Sequence, residues 1–284
     1  MRKLYSVIFA FLSVLFAAQA QSAKSLFNVA DSLQVNEIFS EVSSMSSALG
    51  HSGPAVENSH MALRILCDGS GSIDLYSKNG RGMELLEYLW YPTQGQQDTL
   101  ATGVDAYNVA NTLGLGGVSL WDGHDIVRLV ATDGMLARVG ETKKGAFAEV
   151  VSYGVPYMGG KVDISVRIDV QNKNRLAEIK ATELSGKKVQ FVTGLNHHSG
   201  QKTVHTDSYL MVWGPHPETE SGKSFPVGAG LFYSVKLFPV VEKVDNMVRL
   251  ISKPTSLIST RVVASSTKEA ELNNAKRLEA YMQK

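Results

Sequence analysis

The sequence predicts an all-β protein: one large antiparallel two-sheet β-sandwich with a C-terminal helix. Three observations carry this prediction. Apolar and polar residues alternate with period 2 through most of the chain, turn signals separate the alternating runs, and clear helical spacing is confined to the ends. No 20–50-residue repeat is present, so a propeller or solenoid is excluded and a large sandwich is the better solution for more than ten strands.

Residues 1–20 read as a signal peptide. Arg2 and Lys3 begin it, residues 7–18 form its apolar run, and Ala18-Gln19-Ala20 supplies a small-x-small cleavage site after Ala20. The apolar run falls short of the roughly 20 residues a membrane span needs. A periplasmic or extracellular location follows, with residues 21–284 as a single domain. The 28 basic and 27 acidic side chains nearly cancel, and without Arg2 and Lys3 the balance is slightly negative. No basic stripe points to nucleic acid or a membrane surface. Cys67 stands alone, so no internal disulfide forms and stability must come from a core.

Residues 161–170 (KVDISVRIDV) are the clearest strand, with Val162, Ile164, Val166, Ile168 and Val170 on one face. The runs MALRILC, SIDLYSK, GVSLWDG, RLAEIKATEL, KKVQFVTGL, SYLMVWG and AGLFYSVKLFPV read the same way. MELLEYLWY (83–91) reads as a strand by pattern and as a short helix by propensity. Helical spacing is weak over residues 40–49 and good over 268–283.

Two clusters could carry chemistry. Carrying the alternation of the strand at 60–67 backwards places Asn58, His60 and Arg64 opposite Met61, Leu63, Ile65 and Cys67. An amide, an imidazole and a guanidinium in one row can all donate to an anionic oxygen, which suits a carboxylate-bearing ligand. The second cluster is GLNHHSG, where only one of His197 and His198 should enter a given groove because neighbours on a strand point to opposite faces. Alternation groups His205 with Asp207, Tyr209 and Trp213, a set suited to stacking on sugar faces. No metal or other cofactor is expected. The histidines lack a cysteine pair or HExxH partner, the DGSGSID stretch lacks a calcium loop's twelfth ligand, and GLGG opens no helix.

Residues 53–65 (GPAVENSHMALRI), 73–78 (IDLYSK) and 103–123 (GVDAYNVANTLGLGGVSLWDG), in this order and spacing, resemble a domain-of-unknown-function family of bacterial polysaccharide-degradation gene clusters. Its members are similar to the galactose-mutarotase-like β-supersandwich and include an ulvan oligosaccharide dehydratase. Glu57 and Asn58 match the family's Glu-Asn pair, Arg64 its strand arginine, and Asp105 and Tyr107 its D-x-Y. Gly114, Gly116 and Gly117 match its turn. Val56 replaces an aromatic, Ser59 an acid, and Tyr91-Pro92 stands where the family has Tyr-His. The resemblance implies an exported carbon–oxygen lyase, a dehydratase or polysaccharide lyase, acting by β-elimination on a uronate-containing oligosaccharide or polysaccharide. Asn58, Tyr107, His197 and His198 are then catalytic candidates. Glu57, His60, Arg64, Asp105, His205, Tyr209 and Trp213 are substrate-binding candidates. The alternatives are a carbohydrate-binding protein without turnover and a sugar epimerase or mutarotase.

Overall fold

Burial follows the alternation. In the strand Gly160–Gln171 the five apolar positions 162, 164, 166, 168 and 170 are at most 2% exposed. In the computed structural model, which describes residues 22–29, 33–88, 93–99, 102–218 and 224–284, this strand lies within a nine-stranded sheet. From one edge to the other that sheet runs Lys202–His205, Tyr209–Pro215, Pro226–Phe232, Leu257–Ser266, Ala177–Glu183, Gly160–Gln171, Gly145–Tyr157, Met135–Glu141 and Glu37–Ser40. The expected signal peptide, residues 1–20, and the Tyr91-Pro92 pair lie outside the described residues.

The second layer is divided. Its five-stranded part runs Val240–Val244, Met247–Ile251, Phe191–Asn196, Leu115–Trp121 and Ile126–Val127. Its four-stranded part runs Lys24–Leu26, Ala55–Glu57, Ala62–Ile65 and Ile73–Tyr76. The strand pairings within each sheet are antiparallel, and the two parts meet at a parallel bridge between Ile73 and Gly114. Gly114 sits there at φ +71°, and a Cβ would fall 2.0 Å from the Ile73 carbonyl oxygen; only glycine permits this approach. The expected sandwich is therefore present, with one layer split in two and a small extra ribbon, Asn28–Val29 with Leu33–Gln34.

The layers share one core. Met61, Leu63 and Ile65 from the four-stranded part and Val118, Leu120 and Phe191 from the five-stranded part pack with Ile164, Val166, Ile179 and Val262 of the large sheet. At Gly116 the layers come so close that a Cβ would lie 2.7 Å from Val262 and 2.8 Å from Ile179.

Helices are few and short among the described residues. The described part of the 83–91 stretch, residues 83–88, follows propensity and forms the helix Glu84–Tyr88. Residues 40–49 supply only the 3-10 turn Ser46–Ala48, because Glu37–Ser40 pairs with the strand Met135–Glu141. The C-terminal helix is Ala275–Met282, shorter than the spacing predicts. Asn274 caps it by accepting from the Arg277 N–H at 3.0 Å, while Glu269 and Glu271 upstream are drawn to Arg175 at 2.6 and 2.7 Å. Leu278 and Met282 pack against Tyr209, Met211 and Val263 of the large sheet. No described helix is long and apolar enough to cross a membrane.

Candidate functional site

The first predicted cluster is broken up by a turn. Glu57 ends one strand and Ala62 begins its antiparallel partner, with the two residues facing each other in register. Residues 58–61 are the connection, so the alternation cannot be carried back through them. Asn58 does not project beside Arg64. Its Nδ2 donates to the carbonyls of Gln171 and Asn174 at 2.8 and 2.9 Å, and its Oδ1 accepts from the His60 and Met61 N–H groups at 2.8 and 3.0 Å. The fold already occupies its amide.

Glu57 is equally occupied. Its buried carboxylate takes Lys78 Nζ at 2.5 Å and the N–H groups of Glu84 and Leu85 at 2.6 and 2.9 Å, anchoring the start of the helix Glu84–Tyr88. Burial pushes this carboxyl above its ordinary range, against the pull of Lys78. His60 lines a separate cavity of about 70 Å³ with Arg81, Arg175 and Glu271. Burial, then Arg175 and Arg81, lowers its imidazole to about 4, so it is neutral at pH 7. Between His60 and Arg64 the side chain of Ala62 is covered by Leu85, Tyr76 and Leu26. The predicted row is not one groove.

Arg64 keeps its predicted side of the sheet. Met61, Leu63, Ile65 and Cys67 are buried opposite it, and burial pushes the Cys67 thiol up to about 12. Arg64 faces Asp74 across the strand pair, with Nε and Nη2 on Oδ2 at 2.8 and 2.6 Å.

The Asp74 charge also acts on Tyr107, and there the second cluster takes shape. Tyr107 is 2% exposed. Its ring centroid lies 4.5 Å from that of His216, tilted by 39°. The His216 ring in turn meets His198 edge-on at 4.8 Å. Two ring nitrogens of this array, His216 Nδ1 and His198 Nε2, are buried without a hydrogen-bond partner among the described residues, and the buried Tyr107 hydroxyl meets the backbone of Asn196. Buried polar groups are ordinarily satisfied, so two orphan nitrogens in ring contact need a reason. Burial pushes the Tyr107 phenol above its usual range, against a hydrogen bond from the Asn196 backbone, and the Asp74 charge adds a smaller upward push. Burial lowers His216 to about 3 and holds His198 below its usual value. At pH 7 the array comprises a protonated phenol and two neutral imidazoles.

Two amides hold the array together. Asn196, at the end of the strand Phe191–Asn196, donates to the Asn108 carbonyl and accepts from Thr112, fixing the Tyr107 loop. Gln201 accepts from the His198 N–H at 2.8 Å and donates to the Pro215 carbonyl at 2.9 Å, tying His198 to the strand that delivers His216.

The other candidates lie elsewhere. Of the histidine pair only His198 enters the array; the His197 N–H donates to the Asn246 carbonyl at 2.7 Å, and burial followed by Lys243 lowers its imidazole. Asp105 is buried near the start of the Tyr107 loop. His205 is exposed, with Nε2 2.9 Å from the Tyr233 hydroxyl. Tyr209 and Trp213 do share a face, as alternation predicts, but the C-terminal helix packs onto it, so they serve packing rather than an open sugar platform. Sequence reasoning missed His216, Asn196 and Gln201. A lone histidine between two prolines carries no spacing signal.

No curated protein matches this chain. Among solved structures it is similar to a 4-alpha-glucanotransferase from Thermococcus litoralis, at 11% identity and a TM-score of 0.35, over 75% of this chain and 39% of that one. The chain thus spans about two fifths of that protein, a likeness too distant to bear on activity. A family model, by contrast, matches residues 13–284. The chain belongs to the family described as Domain of unknown function (DUF4861).

Proposed function

We propose that the protein is an exported enzyme that acts on uronic-acid-containing oligosaccharides by β-elimination. The observation that carries this reading is the buried Tyr107–His216–His198 array, two of whose ring nitrogens lack partners among the described residues and whose phenol feels the charge that holds Arg64. Perturbed titratable groups arranged this way are what proton transfer requires.

In the proposed reaction a neutral imidazole removes the C5 proton of the uronate. His198, the less buried of the two ring-contacting histidines, takes that role. The C5–H electron pair becomes the C4–C5 double bond, and the C4–O bond breaks. Tyr107, held protonated by its environment, gives its proton to the departing oxygen. That oxygen leaves as water in a dehydration or as a sugar hydroxyl in a chain cleavage. Negative charge grows on the substrate carboxylate as C5 loses its proton, and Arg64 is the group suited to stabilise it. Asn58 contributes to the architecture instead.

Incubation with a panel of uronate oligosaccharides, followed in the ultraviolet band of an unsaturated uronate, tests the proposal. A rising band is expected with at least one substrate. Saturable heat in calorimetry without any new product would replace the enzyme with a carbohydrate-binding protein.

A further inference from the structure

An open cleft of about 920 Å³ lies between the loop at Ala110, Asn111 and Thr112 and the hairpin turn at Asp245 and Asn246. We infer that this cleft binds neutral sugar units extending the substrate beyond the reacting uronate. The inference deepens the elimination reading and rests on it for the identity of the chain.

Two walls of the cleft adjoin the buried array, and the third is formed by His124, Asp125 and Ile126. One wall begins three residues after Tyr107, and the Asn196 side chain pins it at Asn108 and Thr112. The other supplies the Asn246 carbonyl that receives the His197 N–H, next to His198. A ligand lying in the cleft is therefore bordered by the segments that position both proposed catalytic groups.

The lining suits a polyol. The exposed amides of Asn111 and Asn246 can donate and accept at once, and the exposed carboxylates of Asp125 and Asp245 can accept from paired hydroxyls. Ile126 and Met247 add apolar surface for the C–H faces of a sugar ring. The volume is at the upper end of the range for small-molecule sites, enough for more than one ring.

The charges disfavour a second uronate here. Arg249, the cation in the lining, is gripped by Glu242 through Nε and Nη2 at 2.8 and 2.6 Å and lies over the Trp121 ring at 4.3 Å. Arg128 donates to the Asn111 carbonyl at 3.3 Å but is not among the lining residues. Two aspartates thus set the sign of the exposed charge. The uronate belongs at Arg64 and the neutral sugars in the cleft.

Calorimetry with a uronate-terminated disaccharide, and with the tetrasaccharide that extends it by two neutral sugars, tests this. The tetrasaccharide is expected to bind at least about 10-fold more tightly, the equivalent of about 1.4 kcal/mol. The Asn111→Ala/Asp125→Ala double variant, whose folding is checked by thermal unfolding, is expected to lose most of that advantage. Equal affinity for the two sugars, or an advantage that survives in the double variant, overturns the inference. If the length advantage holds while neither sugar yields an unsaturated product, the cleft stands and the elimination reading falls.

Discussion

Tyr107 and His216 pack ring against ring at 4.5 Å; the Tyr107 hydroxyl meets the Asn196 backbone, and His216 Nδ1 is buried with no partner among the described residues. A neutral buried hydrogen bond contributes about 0.5–1.5 kcal/mol. Tyr107→Phe removes only the hydroxyl and its backbone hydrogen bond, so denaturant unfolding should show stability lowered by no more than about 1.5 kcal/mol. Turnover should fall by on the order of 10²–10⁴-fold, the usual contribution of a positioned acid. A destabilised variant with normal turnover would make Tyr107 a framework residue.

His216 should make the fold acid-sensitive. The unfolded chain protonates this residue near 6.5, whereas burial delays protonation in the fold to about 3. Below pH 6.5 the unfolded state therefore binds more protons, and stability falls as pH drops through that window, by about 1.4 kcal/mol per unit. His60, lowered to about 4, acts in the same direction but is partly exposed, so water weakens its effect. Urea unfolding at pH 7 and pH 4.5 should show a larger loss in the wild type than in His216→Gln. Equal losses would mean that the imidazole is not held neutral.

Catalysis should have wide pH limits. His198 titrates below 6.5 and Tyr107 above 10, so the rate profile should have its acid limb under the ordinary imidazole value and its alkaline limb above the ordinary phenol value. A limb between pH 7 and 9 would point to a different acid or base.

Glu57 and Lys78 form a buried pair in which each side chain is 2% exposed. Glu57→Gln strands the lysine charge and weakens the start of the helix Glu84–Tyr88, so urea unfolding should register a loss of about 3–5 kcal/mol. Adding Lys78→Met should recover part of it, since contacting residues are not additive. A loss under about 1 kcal/mol in the single variant would show that water reaches the pair.

Arg64 and Met61 lie on opposite sides of one chain segment, so their variants should separate function from stability. Arg64→Lys keeps the charge but loses the planar fork that grips a carboxylate, and activity should fall on the order of 10²-fold with little change in unfolding. Met61→Ala empties a fully buried site and should cost about 2–5 kcal/mol. If Arg64→Lys harms stability more than activity, its pairing with Asp74 is its main role.

The sandwich was legible because alternation is a local signal. Val162 to Val170 and Met61 to Cys67 bury the faces their pattern assigns them. The split layer was not legible, since it depends on how closely Gly114 approaches Ile73 across the fold. The site was legible only in pieces. Tyr107 came from the resemblance and His198 from its position at a strand end, but their meeting through His216 joins three distant segments. Asn58 and His60 were misplaced because a period-2 pattern does not announce that a turn interrupts it. Tyr209 and Trp213 were placed on the correct face, yet nothing local says that the C-terminal helix packs there.

The most direct test of the central claim is the rate of unsaturated-uronate formation by the wild type and by Tyr107→Phe, His198→Gln and His216→Asn, with the thermal midpoint measured alongside each. The buried array predicts product from the wild type and folded variants slowed by on the order of 10²-fold or more. No product from any uronate substrate, or undiminished rates in the folded variants, would contradict it.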